Sequence, residues 1–160
     1  MDTITITFHP VDTGAVEHAR RTGHDLDGIP VERVSAAGGE PVRCCLTDAE
    51  PGADLLLMGY RPRLPASPYV ETGAVFVHAA PCSGPVSTSS YPQDWRSRPQ
   101  VLRAYDERGW IHPATRVHDG TDAASVLAEV LAQRGVVEVH SRNIDYGCFM
   151  FSATAGRAGA

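Results

Sequence analysis

Polar and apolar residues alternate from Thr3 to Phe8, the period-two pattern of a strand with one buried face. Thr13–Thr22 suits a short helix with a weak apolar face, and Gly23 follows it as a stop. His24–Glu40 is rich in Gly, Asp and Ala and reads as a long connection. Val42–Leu46 and Asp54–Tyr60 read as strands. The intervening TDAEPGAD carries the Asp, Pro and Gly of a turn, so the two are expected to form a hairpin. After the proline-rich RPRLPASP, the run AVFVHA marks a strand within Tyr69–Ala79. The next segment, PCSGPVSTSSYPQDWRSRP, is too long for an ordinary turn, and such loops in compact domains often act as lids or binding loops. Its Tyr91 and Trp95 suit either covering a ligand or pinning the loop to the sheet.

Gln100–Asp106 and Trp110–Val117 predict a second hairpin, with Gly109 supplying the positive φ of its turn. Asp122–Arg134 is the clearest helix, because Val126, Leu127, Val130 and Leu131 fall on one stripe. Thr121 suits its N-cap and Gly135 the position after its end. In the strand expected over Val136–Arg142, Val137, Val139 and Ser141 share one face, while Glu138, His140 and Arg142 share the other. A polar turn then leads to a last strand that starts at Gly147-Cys148. The pattern sums to an α+β fold, a mainly antiparallel sheet covered by one or two helices. The expectation is a single domain over residues 1–160, with residues 153–160 as a disordered tail.

Composition narrows the function classes. The chain is 42 % hydrophobic and 21 % charged, with a formal net charge of −5, which argues against nucleic-acid and membrane-surface partners. All 14 basic residues are arginine, so a side-chain amine for Schiff-base chemistry and the lysine of a P-loop are both excluded. The N-terminus lacks a secretory pattern and no window has the length of a membrane span, so a cytoplasmic location is expected. The four cysteines are then expected as free thiols.

Four stretches in register carry a family resemblance: PVRCCLTDAEPG at 41–52, SPYVETGAVFVHA at 67–79, LRAYDERG at 102–109 and VHSRNIDYGCF at 139–149. Together they resemble the bacterial family called domain of unknown function 1203. The resemblance implies an α+β single domain from a bacterium and brings no activity or catalytic residue with it. Members often read Pro-Cys-Arg where this chain has Pro41-Val42-Arg43, and carry Arg at the place of Val70 and a second His near Arg142.

Chemistry is expected first around the last two strands. If they pair, His140 can reach Cys148 and act as acid or base, with Asn143 as an orienting partner and Cys148 as nucleophile or second acid. Arg43 and Arg103, with Tyr105 and Tyr69, are the expected binding residues for an anionic small molecule. Salt bridges to Asp48, Asp106, Asp145 or another of the 19 acids are the structural alternative for these arginines. On a strand the adjacent Cys44 and Cys45 point to opposite faces, which separates them as partners in one site. His78 and Cys82 form half a metal site whose second half the sequence does not reveal. The leading expectation is therefore an enzyme or metabolite-binding protein that uses cofactor-independent acid–base or thiol chemistry, with no metal and no cofactor. The alternatives are a non-catalytic homodimeric interaction domain and a metalloprotein with a nonlocal His/Cys site.

Overall fold

The computed structural model describes residues 4–157, and Thr3 and residues 158–160 lie outside the described residues. In chain order the elements are β1 (Ile4–His9), α1 (Thr13–Thr22), β2 (Glu32–Ser35), β3 (Pro41–Val42), β4 (Thr47–Asp48), β5 (Asp54–Tyr60) and β6 (Gly73–His78). They are followed by β7 (Gln100–Tyr105), β8 (Arg116–His118), α2 (Ala123–Leu131), β9 (Glu138–Asn143) and β10 (Phe149–Arg157). Instead of one sheet there are two five-stranded sheets, ordered β1-β10-β9-β7-β8 and β2-β5-β6-β3-β4. Every strand pairing is antiparallel except β3 with β6, which is parallel at Val42–Phe76. The class is α+β, with sheet dominant.

Local signals explain both helices. Asp12 caps α1 by accepting from the Ala15 amide at 3.0 Å, and Gly23 closes it at φ 73° with its amide bonded to the Ala19 carbonyl. The buried side of α1, Ala15, Val16 and Ala19, joins Leu56, Met58, Val75 and Val77 of the second sheet in one cluster. In α2 the buried residues Leu127, Val130 and Leu131 join Leu102, Ala104, Val139 and Phe151 of the first sheet in another. Asp122, rather than Thr121, occupies the N-cap of α2, and its side chain makes no capping bond.

A bulge in β10 joins the two cores. Phe149 and Phe151 would share a face in a regular strand, but the register against β9 shifts between them. Phe149 consequently packs with Tyr60 in the α1 cluster, whereas Phe151 packs with Trp95 in the α2 cluster. Residues 153–157, expected in a disordered tail, continue β10 and pair with β1 from Ala153–Phe8 to Arg157–Ile4. β10 lies between β1 and β9, and its ladder to β1 gives the segment the backbone partners that order it.

Four further expectations change. The long connection contains β2, which pairs with β5. β5 lies between β2 and β6, so the expected hairpin with the Val42 strand does not form. Trp110–Val117 shrinks to a bridge at Ile111 and the short β8. The expected strand Val42–Leu46 is instead two residues of β3 followed by a turn, in which the Leu46 amide bonds the Val42 carbonyl at 2.9 Å and Leu46 adopts φ 58°. Val42 and Leu46 belong to different buried clusters, and a straight strand cannot serve both.

The loop after β6 is held down rather than free. Trp95 is fully buried, stacks on Phe151 and donates from Nε1 to Asp48 at 2.9 Å. Gly120, at φ 90°, lies so close to this loop that a Cβ there would sit 2.3 Å from the Ser97 carbonyl oxygen. Gly120→Ala combines a left-handed backbone with a backbone collision and is expected to cost about 2–4 kcal/mol. Urea denaturation checks this, and a variant as stable as the parent chain would show that the loop does not pack against Gly120.

Candidate functional site

The turn after β3 brings together side chains that a strand would separate. Cys44 Sγ lies 3.7 Å and Cys45 Sγ 3.8 Å from Nδ1 of His78, the last residue of β6. The three potential donor atoms all lie within 4.8 Å of one another. Cys82, four residues beyond His78, donates its thiol to Cys44 Sγ at 3.2 Å. The vicinal pair thus lies beside His78 and Cys82, because turn geometry points both of its sulfurs the same way. All four cysteines are free and half-buried.

Backbone and side-chain bonds hold this group. The His78 amide donates to Cys44 Sγ at 3.3 Å, and the Thr47 hydroxyl lies 3.0 Å from Cys45 Sγ. Arg20 of α1 grips the His78 carbonyl with Nε and NH2, both at 3.1 Å. The vicinal thiols share one proton. Hydrogen bonding from Cys44 lowers Cys45 to about 6, aided by Thr47 and the His78 imidazole and opposed by partial burial. Cys44, which keeps the proton for its neighbour and is also partly desolvated, is pushed up.

Cys45 and Thr47 also line a cavity of about 900 Å³. Its walls are the apolar side of β1, the serine-rich loop with Arg96, and the start of α2 from Thr121 to Ala124. The Phe8 amide bonds the Thr88 carbonyl at 2.8 Å and ties the loop to the β1 wall. A second cavity of about 280 Å³ lies beside Asp12, Tyr60, Arg61 and Arg63.

The residues expected from the sequence to carry chemistry lie elsewhere, and none lines either cavity. His140 is fully buried, with Nε2 2.9 Å from Glu138 and its ring 4.6 Å from that of Tyr105. His140 Nδ1 and the Tyr105 hydroxyl are buried without a partner. Arg103 is the register partner of His140 and bonds Glu71 at 3.0 Å, and Arg142 bonds the same carboxylate. The salt-bridge alternative thus holds for Arg103 and Arg142, with Glu71 as the acid rather than Asp48, Asp106 or Asp145. Arg43 is buried and donates to the carbonyls of Phe149 at 2.8 Å and Pro41 at 2.6 Å, with its pKa lowered to about 10 by burial. Cys148 lies next to Phe149, and the Asn143 amide bonds the Cys148 carbonyl at 2.9 Å, closing the β9–β10 turn. Tyr69 packs edge-to-face on Trp110, with ring centroids 5.7 Å apart. The structure thus gathers Arg43, His140 and Phe149–Cys148 around the joint between the sheets, and sets Tyr69 apart on Trp110.

The shared proton has a measurable consequence. Because the pKa of Cys45 is lowered to about 6, its thiolate persists down to that pH in metal-free protein. Alkylation of Cys45 by iodoacetamide, followed by peptide mapping, is expected to reach half its plateau near there. Cys44→Ala removes the donor and moves the midpoint up toward about 8.5, the ordinary thiol value. A parent chain that already titrates at the ordinary value would rule out the shared proton.

Comparison with curated proteins and with solved structures gives no match. The family described as "Protein of unknown function (DUF1203)" matches residues 39–154, well over half of the chain and all four members of the Cys/His group. The chain belongs to that family.

Proposed function

We propose that this protein binds one thiophilic divalent ion of the zinc class through Cys44 Sγ, Cys45 Sγ and His78 Nδ1. The observation that carries the reading is the pair of sulfur–nitrogen separations, 3.7 and 3.8 Å. Metal–sulfur bonds of about 2.3 Å and metal–nitrogen bonds of about 2.0 Å at a tetrahedral angle give an edge of about 3.5 Å. The amide of His78 and the hydroxyl of Thr47, each set on one of the sulfurs, supply the outer hydrogen bonds that such ligands need. Two thiolates and one neutral imidazole balance the charge of a divalent ion in full and favour soft ions over magnesium or calcium.

Three protein ligands leave a coordination position for a small molecule. Cys45 lines the large cavity, which supports entry of that molecule from there. Arg96 is the cationic residue of the cavity wall and favours an anionic ligand, in keeping with the expectation from the sequence. An ion in this position polarises a bound carbonyl or activates a bound water. The reducing bacterial cytoplasm is the compartment that keeps such thiolates available. Acid–base chemistry at His140, Asn143 and Cys148 is the second reading, favoured by the unpartnered His140 Nδ1.

Protein purified without chelator is expected to contain one zinc-class ion per chain by elemental analysis. Cobalt substitution is expected to give sulfur-to-metal charge-transfer absorption and the intense visible bands of a tetrahedral site. Cys45→Ser and His78→Ala are expected to lose both signals, and Cys148→Ser to keep them. A folded parent chain that takes up neither ion would sink the proposal.

A further inference from the structure

Cys82 is the member of the Cys/His group that the three-ligand site does not use. Its sulfur lies 3.2 Å from Cys44 Sγ, yet it is not part of the set whose donor atoms are all mutually within 4.8 Å. It is half-buried, so small oxidants can reach it, and it sits in the irregular segment after β6, where no sheet ladder fixes its backbone. A disulfide bond requires the two sulfurs to close by about 1 Å. The vicinal Cys44–Cys45 pair is the poorer alternative, because bridging adjacent residues forces a small ring through the peptide bond between them.

We propose that Cys44 and Cys82 form an oxidative modification site, in which a hydroperoxide converts the pair to a disulfide and thereby dismantles the metal centre. The disulfide stands on the sulfur geometry alone, whereas the loss of an ion rests on the metal-binding reading above. The Cys82 thiolate attacks the distal oxygen of the hydroperoxide. The O–O bond breaks, an alcohol (or water, from hydrogen peroxide) leaves, and Cys82 becomes a sulfenic acid. The Cys44 sulfur then attacks the Cys82 sulfur, the S–O bond breaks and hydroxide leaves as water. Two thiols are oxidised by two electrons, and the peroxide is reduced to alcohol and water. Cys44 gives its anionic electron pair to the new S–S bond, so only Cys45 and His78 remain as ligands and the ion leaves. A dithiol reverses the step by exchange through Cys44 or Cys82.

The test uses the full chain loaded with zinc and treated with stoichiometric hydrogen peroxide. Ion release is followed with a chromophoric chelator, and the cysteine linkage is mapped after alkylation of the remaining thiols. The parent chain and Cys148→Ser are expected to yield a peptide linked between Cys44 and Cys82 as the ion appears. Cys82→Ser is expected to bind zinc normally and to release it on the order of tenfold more slowly. Release from Cys82→Ser as fast as from the parent chain overturns the proposal, and so does a parent chain that forms a Cys44–Cys45 link or only over-oxidised thiols. A metal-free parent chain that forms the Cys44–Cys82 link but never bound an ion upholds the modification site and sinks the metal-binding reading.

Discussion

The guanidinium of Arg43 is the joint on which both sheets depend. It is buried at 2 % exposure, and its hydrogen-bond partners are the carbonyls of Pro41 in β3 and Phe149 in β10. The same residue bonds β6 through its amide to the Phe76 carbonyl, and accepts from the Val11 amide just before α1. Burial lowers its pKa to about 10, which still leaves it charged at neutral pH. A charge there is tolerable only because carbonyl dipoles from both sheets converge on it. Loss of the guanidinium strands those carbonyls at a cost of about 1–3 kcal/mol each.

With Arg43 fixed, the next residues must cross from one core to the other. Val42 is buried on the second sheet and Leu46 in the α2 cluster, only four residues on. The turn places Leu46 in the left-handed region, a cost of about 1–3 kcal/mol that burial of its side chain offsets. The outcome for Cys44 and Cys45 is incidental to that packing: both sulfurs face the end of β6. The candidate site therefore lies where the two sheets meet, on a turn and a loop, and not in the body of either sheet. Irregular segments on a rigid frame are common positions for binding groups.

What the sequence revealed depended on whether a signal was local. Both helices, β1, β5, β7 and β9 were legible, because period and caps act over a single turn or a few alternations. β2 was not, since ERVS gains its strand character only from pairing with β5. The apolar run Val42–Leu46 looked like a strand because hydrophobicity does not reveal that its two ends serve different cores. The error then propagated to chemistry. An extended backbone separates adjacent thiols, and a turn does not. The half-site His78-x-x-x-Cys82 and the Cys44-Cys45 pair were both visible, and only the fold could bring them together.

Polar residues inside a protein have to be divided between those that complete the scaffold and those left for chemistry, and partners make the division. Gln100 accepts from Tyr91 and Ser141, both at 2.5 Å, while His118 accepts from the Gly120 amide at Nδ1 and meets Tyr91 at Nε2. In this chain on the α2 side burial lowers the pKa of His118, and among the described residues the buried Gln100 Nε2 is its one atom left without a partner. Glu71 serves two arginines in the same spirit on the other face. Such networks hold a sheet in register, and their charges are already committed. The Cys/His group is different: no carboxylate or guanidinium pairs with its sulfurs among their described contacts, and one of them lines a cavity large enough for a metabolite. Thiols brought together around an imidazole gain little from one another as hydrophobes. A cation gains much from all of them at once, which makes the group better suited to an ion than to the core.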